Sequence, residues 1–200
     1  MAGKTTASSD SKHLDLGCGS YPRNPYGQAI VYGIDIGTYH GDHDILYTRC
    51  NVVQSGLPFH DNVFDSVSAY DFLEHIPRLI SVDGTYEYPF IQVMNEIFRV
   101  LKPDGRLYAL TPAYPKESAY VDPTHVNIIT KNTHKYFTEP HNWACMYGFK
   151  GKFKVLRAQW CYFRNETERM SPAELYVKKV LCGIFRKMMQ HFVWELQAIK

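Results

Sequence analysis

Several patterns that define whole classes of protein are missing from this 200-residue sequence. No run of about 18 apolar residues occurs, which excludes an ordinary transmembrane helix. The first dozen residues are small and polar, unlike a secretion signal. Cysteine occurs only five times, at scattered positions and never as a CxxC pair, so neither a disulfide framework nor a zinc knuckle is expected. These absences favour a cytoplasmic protein with reduced thiols.

Internal repeats, low-complexity linkers and a strong overall charge are also lacking. The formal net charge is +2 and 45% of the residues are hydrophobic, which is typical of one globular domain. The charges are spread unevenly, since residues 1–149 hold 11 basic and 16 acidic side chains, whereas residues 150–200 hold 11 and 4. We interpret the basic segment as the solvated face of a helix, with an anionic partner such as a membrane surface as the alternative.

What is present is an alternation of short apolar runs and helical spacing. Apolar or β-branched runs bounded by turn residues predict strands. These strands are expected at 13–16, 30–36, 44–53, 63–70, 106–111 and 153–163. Apolar residues spaced by three or four predict helices. These helices are expected at 90–101, 130–137 and 171–200, the last opened by Ser171 and Pro172 as N-cap and first helical residue.

This order predicts an α/β fold of the Rossmann-like, doubly wound type. We expect a mostly parallel sheet with a late antiparallel strand and helices on both faces. Residues 1–12 are expected to form a disordered N-terminus and residues 13–170 the main domain. Residues 171–200 would add an amphipathic helix to the same domain. That helix is expected to pack on the sheet, with a lid, a homodimer contact or a peripheral membrane contact as alternatives.

A glycine turn and one carboxylate carry the first functional signal. The first predicted strand runs into Gly17-Cys18-Gly19, and the second ends at Asp35. Glycine lets the backbone pass close to a ligand, and a carboxylate at the end of the second strand can accept both ribose hydroxyl protons. Pro22 stands where a dinucleotide site needs its third glycine, and no GxxxxGK[ST] loop is present. The pattern therefore indicates a nucleoside that carries no phosphates.

Five segments, in order and at matching spacing, give the sequence a family resemblance. The segments are HLDLGCG at 13–19, YGIDI at 32–36, LPFHDNVFD at 57–65, FLEHI at 72–76 and NEIFRVLKPDG at 95–105. In these segments the sequence resembles the class I S-adenosylmethionine-dependent methyltransferases of the type 11 group. One such segment would be weak evidence, whereas five in order are a strong signal.

The resemblance implies S-adenosylmethionine as cofactor and S-adenosylhomocysteine as product. It implies that Gly17 and Gly19 face the methionine part, that Asp15 helps to hold the ammonium group, and that Asp35 holds the ribose. The whole implied set of cofactor-binding residues is Asp15, Gly17, Cys18, Gly19, Asp35, Ile36, Asn51, Val52, Tyr70 and Asp71. Within it, Asn51 or Val52 would lie at the adenine edge, where the family usually has an acidic residue.

The loop after the fifth predicted strand is the expected place for acceptor chemistry. Residues 122–137 resemble a "DPTH…T…yF" pattern of methyltransferases that modify sugars and surface polysaccharides. We expect a small-molecule or sugar acceptor, methylated at oxygen. His125 is the candidate general base because a neutral imidazole can accept a proton near pH 7, and Asp122 could orient it. A backbone-bonded, loop-locking His125 is the alternative.

Other readings of the sequence receive less support. The stretch from His40 to Asp44 has metal-binding side chain types but no known ligand spacing, so no metal is predicted. Nucleic acid is not expected as substrate because residues 69–72 read AYDF rather than Asn- or Asp-Pro-Pro-aromatic. A non-catalytic nucleoside-binding protein on the same fold is the alternative function. Monomer and homodimer are left open.

Overall fold

A computed structural model describes residues 8–161 and 189–200 of the chain. In these two ranges the strands are Lys12–Leu16 (β1), Ile30–Asp35 (β2), Leu46–Arg49 (β3), Phe64–Tyr70 (β4), Ile80–Val82 (β5), Thr85–Glu87 (β6), Leu101–Pro112 (β7), Phe153–Cys161 (β8) and His191–Ala198 (β9). The α-helices are Val52–Ser55 (α1) and Pro89–Val100 (α2). Short 3₁₀ helices cover Leu73–His75, Glu117–Ala119, Thr133–Phe137 and Trp143–Tyr147.

Seven of the strands form one twisted sheet in the order β3-β2-β1-β4-β7-β9-β8. Neighbouring strands from β3 through β7 are parallel, and β9 runs antiparallel to both β7 and β8. The fold is therefore the Rossmann-like mixed sheet that the sequence predicts. Because parallel strands end at the same edge, the carboxyl ends of β1 to β4 meet there, which is where open α/β sheets bind ligands.

Helix α2 covers the sheet with an amphipathic face. Pro89 occupies the first turn, where its missing N–H costs nothing, and the apolar side chains of α2 recur at helical spacing. Its buried residues are Pro89, Phe90, Val93, Met94, Ile97 and Val100. All of these except Pro89 share one core with the buried strand residues Leu14, Leu16, Val67 and Leu107.

The predicted strands overlap observed ones, but β7 begins at Leu101 and not at 106, and residues 162 and 163 of the strand predicted at 153–163 lie outside the described residues. The stretch at 44–53 differs more. There the strand is limited to β3, and Asn51 ends it by capping α1, where its side-chain oxygen accepts a hydrogen bond from the Val53 amide. The helix predicted at 130–137 is present only as the 3₁₀ helix Thr133–Phe137. The Pro- and Gly-rich stretch after β1 is a turn-containing loop without a helix, as its composition indicates.

The predicted C-terminal helix 171–200 is wrong at its end, because His191–Ala198 is the antiparallel strand β9. Phe192 and Leu196 fit a helical repeat, but Phe192, Trp194 and Leu196 fit a period of two equally well. Val193 is also fully buried, so both faces of β9 are covered, as in an interior strand. The part of the prediction from 171 to 188 lies outside the described residues.

The predicted disordered segment 1–12 is also too long. Ser11 is buried and its hydroxyl accepts a hydrogen bond from the Ala29 amide, and Lys12 already belongs to β1. Residues 1–7 lie outside the described ranges. In the part of the chain that is described, no helix is both long and apolar enough to span a membrane.

Candidate active site

The glycine turn after β1 forms the floor of the candidate site. Gly17 has φ +65° and Gly19 has φ +52°, a region that side-chain-bearing residues rarely adopt. The amides of Gly17 and Cys18 both donate to the Ile34 carbonyl at the end of β2, at 2.8 and 3.1 Å. A Cβ added at Gly17 would lie 2.7 Å from the ring of Phe72. Glycine is therefore required at this position by both backbone conformation and space.

The Asp35 carboxylate lies beside this turn and is held by two backbone amides. Oδ2 accepts from the Gly19 amide at 3.0 Å, and Oδ1 accepts from the Gly37 amide at 3.0 Å. A carboxylate oxygen has two lone pairs, so each oxygen keeps one for a further donor. The loop that follows is fixed by Tyr47, whose hydroxyl donates to the Gly37 carbonyl. Asp35 thus presents a preoriented acceptor pair at the sheet edge.

A cavity of about 420 Å³ opens at this edge, a size typical of small-molecule sites. Among the predicted cofactor residues, the lining includes Gly17, Asp35, Ile36, Asn51, Val52 and Asp71. The sequence-based prediction missed the other lining residues, which are Ile34, Cys50, Val53, Phe72, His75, Ile76 and Pro77. Most of these follow β4 or precede α1. Phe72, His75 and Ile76 lie inside the matched segment at 72–76, and this position was the signal that could have identified them.

Ile36 and Asn51 give the cavity an apolar wall with one amide. Ile36 is 68% exposed, unusual for a large apolar side chain beside a glycine turn. The Asn51 side-chain oxygen accepts from the Val53 amide at 3.1 Å, which leaves its NH₂ group for another partner. A flat, partly apolar ring with acceptor nitrogens would complement this wall.

The remaining predicted cofactor residues are not among those that line the cavity: Asp15, Cys18, Gly19 and Tyr70. Cys18 is 2% exposed, and its sulfur lies next to Gly33 of β2, where a Cβ would approach it to 2.8 Å. Tyr70 is buried and stacks on Tyr108 with ring centroids 5.4 Å apart. Gly19 contributes through its amide to Asp35, as described above. These four residues therefore lie outside the cavity lining, next to the residues that form it.

Asp15 belongs to a buried polar chain between β1 and β4. Its carboxylate is 1% exposed and accepts from the Ser68 hydroxyl and, at 2.8 Å, from the Arg23 amide. His13 contacts Ser68 through Nε2 at 2.8 Å and Ser66 through Nδ1 at 2.7 Å. Burial raises the pKa of Asp15 to about 7 and lowers that of His13 to about 3. The carboxylate therefore secures the turn that carries Arg23.

His125, the predicted base, lies behind the cavity wall next to Glu74. Its side chain is 9% exposed, and Nε2 is 4.0 Å from Oε1 of Glu74 and 3.8 Å from Oδ2 of Asp122. Neither distance is a hydrogen bond. Nδ1 faces the Ala119 carbonyl at 3.4 Å, and donation to that oxygen leaves the lone pair on Nε2.

Asp122 orients a different histidine from the one predicted. Its Oδ1 accepts from the Thr124 hydroxyl at 2.7 Å and from the Thr124 amide at 2.8 Å, and these bonds lower the pKa of Asp122. Because the hydroxyl proton points to Asp122, the Thr124 oxygen is left to accept from Nδ1 of His75, 3.0 Å away. Within the Asp-Pro-Thr turn, the Asp122 carboxylate is thus bonded to Thr124, and Thr124 in turn positions His75, which lines the cavity.

Glu74 is the third member of this cluster. It is 1% exposed, and neither carboxylate oxygen has a hydrogen bond of full geometry among the described residues, although the Thr111 hydroxyl and its own backbone amide face it. Burial raises the pKa of Glu74 to about 8. The rings of His75 and His125 meet edge to face, with centroids 4.8 Å apart. Two segments 50 residues apart in sequence, one after β4 and one after β7, therefore bring together a carboxyl and two imidazoles.

Comparison with known proteins identifies the protein family of this chain. A family model described as a methyltransferase domain matches residues 14–109, which contain the glycine turn and Asp35. The chain belongs to the class I S-adenosylmethionine-dependent methyltransferases. S-adenosylmethionine is the cofactor of this family, and the chain is a methyltransferase by that membership. No curated protein matches the sequence.

Solved structures show the same methyltransferase fold at low identity. A Methanosarcina mazei methyltransferase has a TM-score of 0.57 and 18% identity, covering 96% of this chain and 94% of that one. A Haloferax volcanii protein solved with the Trm112 activator has 0.59 and 15%, covering 97% and 85%. The Haemonchus contortus phosphoethanolamine N-methyltransferase 2, solved with S-adenosylmethionine, has 0.52 and 16%, covering 98% and 50%.

Proposed function

We propose that this methyltransferase binds S-adenosylmethionine in the cavity at the end of β1 and β2. The observation that carries the proposal is the position of the Asp35 carboxylate. Each of its oxygens accepts a hydrogen bond from one backbone amide at 3.0 Å and keeps a second lone pair available. Two neighbouring acceptors suit the 2′ and 3′ hydroxyls of a ribose. Ile36 would pack on the adenine, and the NH₂ group of Asn51 would donate to an adenine ring nitrogen.

The methionine end would lie over Gly17 and extend towards Asp71. The Asp71 carboxyl lines the cavity at the end of β4, and its Oδ1 is 3.1 Å from Nε2 of His191 at the start of β9. A carboxylate in this position could attract the ammonium group and the sulfonium. Asp15, expected to hold the ammonium, would act instead through the Arg23 loop because its carboxylate is buried and bonded.

We propose a small-molecule or sugar hydroxyl as the acceptor. Two features support this: the resemblance of residues 122–137 to sugar-modifying methyltransferases, and the histidines beside the cavity. A hydroxyl attacks the methyl carbon faster when a base takes its proton, an effect of about 10²–10⁴-fold. His125 carries a free Nε2 lone pair and is the proposed base, and because His75 lies between it and the cavity a water molecule would have to relay the proton. The bound cofactor would supply the methyl group, and the new oxygen–carbon bond would form as the carbon–sulfur bond breaks, which gives the O-methyl product and S-adenosylhomocysteine.

The test is methyl transfer from labelled S-adenosylmethionine to a panel of hydroxylated small molecules, sugars and amines. An O-methyl product, with turnover reduced in His125→Ala and not in His141→Ala, is the expected result. Methylation confined to amines would refute the oxygen acceptor. Full turnover of His125→Ala on the best acceptor would remove the base role. Cofactor binding without transfer to any member of the panel would favour the non-catalytic alternative.

A further inference from the structure

We propose that Glu74, His75 and His125 bind a divalent first-row transition metal ion, such as Zn²⁺, next to the cofactor cavity. One carboxylate oxygen and one ring nitrogen from each histidine all lie within 4.8 Å of one another. Two imidazoles and one carboxylate form a ligand set that such ions accept in proteins. The inference concerns a binding site and stands whether or not the acceptor is a hydroxyl.

The distances fit a site that needs only a small closure. In a tetrahedral zinc site with bonds of about 2.0–2.2 Å, ligand atoms lie about 3.4 Å apart. Nε2 of His125 and Oε1 of Glu74 are 4.0 Å apart. Side-chain rotations that move the ligand atoms by about 0.5–1.5 Å would bring all three atoms to bonding distance. The second carboxylate, Asp122, has Oδ2 3.8 Å from the same Nε2 and could complete the set from the solvent side.

The Nδ1 atom of each imidazole already has an oxygen partner, as is usual for metal-bound histidines. A metal-bound histidine donates its other ring N–H to a carbonyl or carboxylate, directly or through a relay, which fixes the ring and the tautomer. His125 has Nδ1 at 3.4 Å from the Ala119 carbonyl. His75 has Nδ1 at 3.0 Å from the Thr124 hydroxyl, which in turn donates to Asp122 at 2.7 Å. Both hydrogen bonds leave the Nε2 lone pair unused.

Glu74 provides an independent reason to expect a cation. Its carboxylate is 1% exposed, and neither oxygen has a hydrogen bond of full geometry among the described residues. A buried polar group without a good partner costs about 1–3 kcal/mol, and a buried charge costs more. The groups that face it are the Thr111 hydroxyl, its own backbone amide, the two imidazoles and two further acids, Asp71 and Asp122. A divalent ion would compensate this concentration of acidic and lone-pair-bearing groups.

The chain contains a natural comparison for this site. Asp42 and His43 also form a carboxylate–imidazole pair, with 2.9 Å between Oδ1 and Nδ1. Both side chains are strongly exposed, and this pair is absent from the only three-ligand group found among the described residues. A His43 variant therefore removes a histidine of similar local chemistry without touching the proposed site.

An ion at this place would also change the role of His125. His75 lines the cavity, so the ion would lie at the cavity wall. Nε2 of His125 would then be a metal ligand and no longer the proton acceptor. An acceptor hydroxyl bound to the ion would release its proton to water more readily, because a metal ion lowers the pKa of an oxygen ligand.

The test is titration of the purified chain with Co²⁺ after chelator treatment and dialysis, without cofactor or acceptor. We expect visible d–d absorption that saturates at one equivalent and is displaced by Zn²⁺. Glu74→Gln and His125→Ala should lose stoichiometric binding, and Thr124→Val should weaken it about 10–100-fold. His43→Ala should bind like the wild type.

Binding of S-adenosylhomocysteine and the thermal melt of each variant show whether it is folded. A folded wild type without stoichiometric Co²⁺ binding would overturn the proposal. Unchanged binding in folded Glu74→Gln or His125→Ala would overturn it as well. Failure of the cofactor to bind while Co²⁺ still binds would refute the proposed function and leave the metal site standing.

Discussion

Replacement of Asp15 by Asn should change the pH dependence of the free energy of unfolding, because Asp15 and His13, two buried groups on β1, affect it in opposite directions. Asp15 is 1% exposed and His13 is 0% exposed, and Ser68 contacts both. The Asp15 pKa is raised from 3.8 to about 7 by burial, and the His13 pKa is lowered from 6.5 to about 3 by burial. Asn has nearly the same shape as Asp, and its NH₂ group can donate to the Ser68 oxygen, so the hydrogen-bonded chain survives.

The two shifts give opposite dependences of stability on pH. The raised Asp15 pKa means that its stabilisation is complete below pH 3.8 and is lost as the pH rises through 7. The lowered His13 pKa means that its stabilisation is complete above pH 6.5 and is lost as the pH falls towards 3. Each effect amounts to about 1.4 kcal/mol per pH unit, so the two nearly cancel between about pH 4 and 6.5.

Asp15→Asn removes one side of this balance. Relative to the wild type, the free energy of unfolding of the variant should fall by about 1.4 kcal/mol per pH unit as the pH decreases from 7 to 4, which is about 4 kcal/mol in total. All other titrating groups are common to both proteins and drop out of the difference. Urea unfolding at half-unit steps between pH 4 and 7.5 measures it, with the exposed Asp44→Asn as control. Parallel curves for variant and wild type would refute the reasoning.

Two further predictions concern the glycine turn and the last strand. Gly17→Ala should weaken S-adenosylhomocysteine binding about tenfold or more, because the new Cβ meets Phe72 at 2.7 Å and φ is +65°. Gly27→Ala has the same φ with open space around it, so calorimetry should show unchanged affinity there, and equal losses at both sites would contradict the account. Trp194→Ala should lower the free energy of unfolding by about 3–5 kcal/mol, because the side chain is 0% exposed. A loss below about 1 kcal/mol in urea titrations would place Trp194 outside the core.

The first two-thirds of the fold followed from local sequence signals. Runs such as Ile30–Asp35 pair with a strand on either side and stop at turn residues, so pattern and structure agree. The end of the chain did not follow, because the residues of His191–Ala198 satisfy a helical and a strand repeat at once. Pairing with β7 and β8 decides between them, and it joins residues 79 to 91 apart in sequence on the β7 side and 30 to 45 apart on the β8 side.

The candidate site was predictable where one short motif contributes the residues. Gly17 and Asp35 could be placed from the ends of β1 and β2 alone. The histidine cluster could not, because Glu74 and His125 are brought together only by the packing of the loops after β4 and β7. The sequence also suggested that Asp122 orients His125. In the structure the Asp122 carboxylate instead accepts hydrogen bonds from the amide and the hydroxyl of the nearer Thr124.

The most direct test of the account is calorimetric titration of S-adenosylhomocysteine into the purified chain and into Asp35→Ala. Asp35→Ala would remove the two charge-assisted hydrogen bonds that we propose to the ribose, so we expect the wild-type affinity to fall by about 100-fold or more. The exposed Asp44→Ala should bind like the wild type. Equal affinity of Asp35→Ala and wild type, or no binding by the folded wild type, would contradict the proposed cofactor site.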